Sequence, residues 1–241
     1  MRLPMSFALT LTTSALFAGA PIKVETVGTG ADLVREAGVK AVEVEGFLAS
    51  AESFKENGDK LRPSASLLAL IGQALAEHPD DTKLKATGPD IRDAAMKIAR
   101  ATTFEEAQAA WPMLKSALDG KATGQAAKEF DWAKLSKMHP AMEEMNGRAA
   151  KFRRVLRRPK DPAEDSSHVM AIALAAIATH ADTHEVKDKA DLPEWYRLAT
   201  ALHENMAASA AAVRAKDTAT AGMKFTAGMD TCQQCHDKFQ K

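Results

Sequence analysis

Residues 64–78 read SASLLALIGQALAEH and residues 166–180 read SSHVMAIALAAIATH, one pattern met twice along the chain. Both runs are rich in alanine, the strongest helix former. Their likeness decides the fold, because it points to one helical unit present in two copies. Outward from this pair the echo continues. Thr87-Gly88-Pro89-Asp90 resembles Asp191-Leu192-Pro193-Glu194, each a helix start with proline in the first turn and an acid suited to the dipole. Ala99-Arg100-Ala101 mirrors Val213-Arg214-Ala215 ahead of the final helix of each copy. The second copy carries extra residues, expected chiefly in its third helix.

Composition agrees. Hydrophobic residues make up 46% of 241, enough for a sizeable core, but only 5% are aromatic and alanine fills much of the apolar share. Val42-Glu43-Val44-Glu45 alternates like a strand but has no second strand to pair with. Helices are expected over 31–57, 63–77, from 89 onward, and over 103–118. The last of these has a capping box at Thr103 and Glu106 and a kink or late start at Pro112. Gly120 and Gly124 then break the pattern. A second series follows over 131–158, 161–182, 191–215 and 217 to the end, with Asp161-Pro162-Ala163-Glu164 capping its second member. The expected fold is all-α: two tandem antiparallel four-helix bundles, at 21–125 and 126–241, with the first folding independently.

The N-terminus reads as an export signal: Arg2, an apolar run from Met5 to Phe17, and Ala18-Gly19-Ala20 as a small-residue cleavage site. Residues 1–20 are expected to be removed and the mature protein to be periplasmic, with no membrane span. Lys+Arg and Asp+Glu both number 32, a balance that offers nucleic acid no basic footprint. One local excess lies at 151–160, where Lys151, Arg153, Arg154, Arg157, Arg158 and Lys160 meet no acid before Asp161. It reads as a solvated helix end or as a docking patch for an acidic redox partner.

Cys232-Gln233-Gln234-Cys235-His236 carries the chemistry. Two thiols one helical turn apart can each add to a vinyl group of haem, and the adjacent histidine then reaches the iron as its proximal ligand. A thiol-redox pair would follow a strand and open a helix within a βαβ unit. A structural zinc site wants four ligands, and these are the only two cysteines. A disulfide here would close a very small, strained loop. Covalent haem c is therefore expected, ahead of zinc and thiol chemistry.

A haem motif this close to the C-terminus, followed by Phe239 and Lys241, resembles the class II c-type cytochromes, which include cytochrome c′ and its low-spin relatives. The resemblance covers about 131–241 and implies an antiparallel four-helix bundle with haem on the last helix. It reaches the first half only through the suspected duplication. There Leu118, Lys121 and Ala122 stand where Cys232, Cys235 and His236 stand in the second copy, so no haem is expected in the first half.

The resemblance also implies a distal residue on the first helix of the haem bundle, where the family pattern is Arg-Gln-x-x-Leu/Met-x-x-Met-Gly. This chain reads Met138-His139-Pro140-Ala141-Met142-Glu143-Glu144-Met145-Asn146-Gly147. Met142 falls at the family's distal position and is the expected sixth ligand, with Met138 or Met145 as alternatives. The Arg-Gln pair is missing, and Pro140 and Asn146 interrupt the match. A methionine stripe also serves as plain core filling, and an open five-coordinate iron or a histidine ligand remains an alternative. His139, His168, His180, His184 and His203 read as surface or packed residues; His180 and His184, spaced one turn apart, make an incomplete metal site.

The expected function is periplasmic electron transfer by a monohaem cytochrome, a carrier rather than an enzyme. The alternative is a cytochrome c′-like protein that binds or senses nitric oxide or carbon monoxide at an open distal face. A third is a redox subunit docked into a larger assembly through the haem-free half. The resemblance implies that a homodimer through first helices is possible, as in class II relatives, or that the fused second bundle occupies that surface instead.

Overall fold

In a computed structural model, residues 20–127 and 129–240 are described. Apart from Ala20, the expected leader at 1–20 lies outside them. The described residues form nine α-helices and three short 3-10 turns, with no strand, so the protein is all-helical.

Local chemistry sets most helix starts. A capping box opens α1 (Gly30–Phe47), where Thr29 and Asp32 each accept from the other's backbone N–H. The expected continuous helix over 31–57 is broken, because Ser50 accepts from the Ser53 N–H and starts a new short helix, α2 (Ala51–Glu56). After Asn57 comes α3 (Gly58–Glu77), which begins a turn before Pro63 rather than at it. Next are α4 (Gly88–Arg100), with Pro89 in its first turn, and α5 (Phe104–Leu118), with the Thr103–Glu106 capping box and Pro112 inside the helix. Gly120 and Gly124 follow at φ of 82° and 69°, conformations that glycine adopts without strain.

The second half departs from expectation at its start. Residues 131–137 hold a 3-10 turn (Trp132–Lys134), and α6 (Met138–Arg157) begins only at Met138. Pro140 explains this. In a helix running from 131 its ring would meet the carbonyl four residues back, whereas within the first turn its missing N–H costs nothing. Asp161 caps α7 (Pro162–Ala181) by accepting from Ala163 and Glu164. α8 (Leu192–Arg214) and α9 (Thr218–Phe239) complete the chain.

In sequence order α1, α3, α4 and α5 pack side by side, as do α6, α7, α8 and α9. α3 and α7 are both 20 residues long; α8 has 23 against 13 in α4, and α9 has 22 against 15 in α5. The halves interlock. One buried cluster runs through both, and Trp132 Nε1–H donates to Glu77 Oε1 at 3.0 Å. Thr26, before α1, has its hydroxyl 2.7 Å from His203 Nε2 on α8.

Charges are also buried between the halves. Arg148 on α6 pairs with Glu36 on α1 and with Glu144 at 2.7 Å, while Lys40 on α1 reaches Glu144 at 2.7 Å. Burial alone would raise the Glu144 carboxyl, but Lys40 and Arg148 outweigh it and hold it below the usual carboxylate range.

Candidate functional site

α9 presents Cys232, Cys235 and His236 in its last two turns. Cys232 is the fifteenth residue of α9, and Leu118, its counterpart, is the fifteenth and last of α5. Cys235 and His236 therefore sit on the stretch by which α9 outruns α5.

Two adjoining cavities open on the motif. The larger, about 940 Å³, is lined by Cys235, His236 and Phe239 of α9, by Met138, His139 and Met142 of α6, and by Trp195 of α8. It lies within the roughly 300–1,000 Å³ range of cofactor and ligand sites. The smaller, about 30 Å³, is deeper and almost wholly apolar, set between Met142 and Met145 on one side and Leu198, Leu202 and Cys232 on the other. Cys235, His236, Met142 and Trp195 line both.

The structure thus brings the expected residues together and distinguishes among the methionines. Met142 is half-buried between the two spaces, Met138 lies only at the larger one, and Met145 is buried in the core at the smaller one. Trp195 is fixed from two sides: its Nε1–H donates to the Thr179 carbonyl at 2.9 Å, and its ring meets Phe239 edge-on at 5.1 Å. With Leu198, Ala199 and Leu202 it forms an apolar stripe at helical spacing on α8. That spacing was visible in the sequence, but many alanine-rich faces share it. Arg100, Phe130, Lys134 and Lys137 also border the larger cavity and carry no sequence motif.

Burial pushes the Cys232 thiol up to about 11, and Cys235 adds to the effect. Burial raises Cys235 as well. Protonated thiols are poor nucleophiles, the reverse of the lowered values that thiol-redox enzymes require. Among the described residues, no three or more His, Cys, Asp or Glu cluster as a metal site.

The histidines separate by surroundings. His139 is exposed and 3.2 Å from Glu143. His180 stacks on Tyr196 with ring centres 4.6 Å apart. His184 lies beyond the end of α7, so the two are not on one helical turn; it bridges Asp182 and Glu185. His203 is buried, its Nδ1 2.9 Å from the Ala173 carbonyl. His168 is half-buried beside Arg148.

In the basic segment at 151–160 every cation is exposed, with Lys151 3.9 Å from Glu43 and Arg153 over the Phe225 ring. It occupies the C-terminal end of α6, while the cavities border the N-terminal turns. At 1.5 Å per residue the two are roughly 20 Å apart along the helix. Among the described residues no helix is long and apolar enough to cross a membrane. No protein-family model, curated protein or solved structure matches the chain.

Proposed function

We propose that the chain is an exported monohaem c-type cytochrome that carries electrons in the periplasm. Its fold is read as two tandem antiparallel four-helix bundles, the second of cytochrome c′ type. Haem c is joined to Cys232 and Cys235, with His236 as proximal and Met142 as distal iron ligand. The observation that carries this reading is that Cys235, His236 and Met142 border the cavity of about 940 Å³, and that Cys232 joins them around the small apolar space adjoining it between four helices.

The residues fit the group. Two thiols at adjacent turns match two vinyl substituents, and imidazole and thioether are established iron ligands. The haem supplies a one-electron couple when bound. The chain's own residues do the rest: Trp195, Phe239, Leu198 and Leu202 keep water from the apolar floor. Met142, a soft sulfur donor, favours ferrous iron.

Met142 is only half-buried, and the larger cavity passes beside it, which gives the gas-binding reading its footing. An absorption spectrum of the ferric and ferrous protein separates the two. A low-spin spectrum with a methionine–sulfur band, unmoved by carbon monoxide, is expected of the carrier. A high-spin spectrum that shifts with carbon monoxide would move the function to gas binding.

A further inference from the structure

The haem reading leaves the first half without a task, yet one residue of that half reaches the cavity. Arg100, the last residue of α4, is exposed and lines the larger space together with Lys134 and Lys137, from the segment ahead of α6. Its Nη2 donates to the Lys134 carbonyl at 2.7 Å, which ties α4 to the cavity wall.

The charges around this space are unevenly matched. Glu143 meets His139 at 3.2 Å, and Asp182 and Glu185 meet His184 at 2.6 and 3.0 Å. The Asp182 carboxylate accepting from His184 is the main reason that imidazole stays protonated to higher pH than usual. Lys134 meets Asp131 at 3.5 Å. Arg100 and Lys137 meet no carboxylate among the described residues. An apolar floor with two uncompensated cations at its edge suits a flat apolar ligand that carries carboxylates along one side. Haem has that shape, with two propionates on one edge.

We infer that Arg100, supported by Lys137, receives the haem propionates, so that the haem-free half completes the haem site and raises its reduction potential. This rests on the haem reading above. Arginine suits the role, since its planar fork grips carboxylates in bidentate fashion and the bond to Lys134 leaves most of its N–H groups free. A fixed cation at the edge favours ferrous haem, which carries one positive charge less than ferric, and keeps the propionates ionised to lower pH.

The test is a redox titration of the haem-loaded full chain across pH, with Arg100→Gln, Arg100→Lys and, at the distant end of α6, Arg154→Gln. Arg100→Gln is expected to lower the midpoint, reducing the ferrous-to-ferric ratio at a fixed potential by about three- to tenfold. Tenfold corresponds to about 59 mV for one electron. Arg100→Lys should recover most of the loss, and Arg154→Gln should change nothing. Should Arg100→Gln fail to fold, Lys137→Gln carries the same expectation. A loaded variant with the parental midpoint and pH profile overturns this inference alone, even if its stability falls, because Arg100 would then serve only as a tie to Lys134. A parent chain without covalent haem overturns the inference together with the reading beneath it.

Discussion

Met142 borders both cavities beside Cys235 and His236, whereas Met145 points its bulk into the core and Met138 touches only the outer space. Under the proposed function, Met142→Ala converts low-spin haem to high-spin and opens it to carbon monoxide. Met145→Ala instead costs stability, about 2–5 kcal/mol for a buried methionine, and leaves the spectrum alone. Visible and near-infrared spectra of Met138→Ala, Met142→Ala and Met145→Ala decide among them; if all keep the parental spectrum, methionine ligation is wrong. His168 offers a prediction about pH. Burial first, then Arg148 and Lys151, bring its imidazole down to about 4, against a weaker upward pull from Asp165 and Glu144. The unfolded chain therefore takes a proton where the native state does not. His168's contribution is whole above about pH 6.5 and is lost as pH falls towards 4. Urea titrations across that window should show stability falling, and less steeply in His168→Gln; an identical acid slope in both would contradict this. At this scale the sequence displayed residues whose spacing is itself chemistry, such as Cys232, Cys235 and His236. Trp195 and Arg100 were hidden because their role comes from what they meet, Phe239 and the Lys134 carbonyl, and no local pattern encodes that.

Among the elements, the contact between α1 and α6 carries the sharpest energetic claim. Glu36 and Arg148 are both almost fully buried and pair directly. Removing Arg148 leaves the Glu36 carboxylate buried without its direct partner, at a cost of about 3–5 kcal/mol, whereas removing Glu36 leaves Arg148 paired with Glu144 and costs less. Arg148→Ala should destabilise by about that much in urea unfolding, Glu36→Ala by less, and the double variant by clearly less than their sum. Additive losses would mean that the pair does not interact as drawn. Helix starts were legible wherever a cap or an early proline announced them, as at Thr103, Asp161 and Pro193. The start of α6 lies at Met138 rather than 131, because Pro140 is tolerated only in a helix's first turn, a constraint that the apolar residues on both sides of it conceal. The break at Ser50 is not legible for the converse reason: a serine is a weak signal until its hydroxyl is seen accepting from the Ser53 N–H.

For the whole molecule, an alanine-rich composition with few aromatics announced an all-helical chain, and the described residues are helical throughout their regular structure. How the halves meet was not legible, since Glu36–Arg148, Trp132–Glu77 and Thr26–His203 are pairings between residues distant in sequence. These contacts qualify the idea of a free-standing first half. Residues 21–125 alone should remain helical by circular dichroism but melt below the intact chain, having lost Trp132 and the partner charges on α6. A disordered fragment would count against two folding units, and an unchanged melting temperature against their coupling. The proposed function rests on haem attachment in the second half. The most direct measurement is the mass of the protein after export and denaturation, beside that of a Cys232→Ala/Cys235→Ala variant. The account predicts that the parent keeps the added mass of one haem through denaturation and that the variant has none. A parent at the mass of the bare polypeptide, or a double variant that still retains haem, would contradict it.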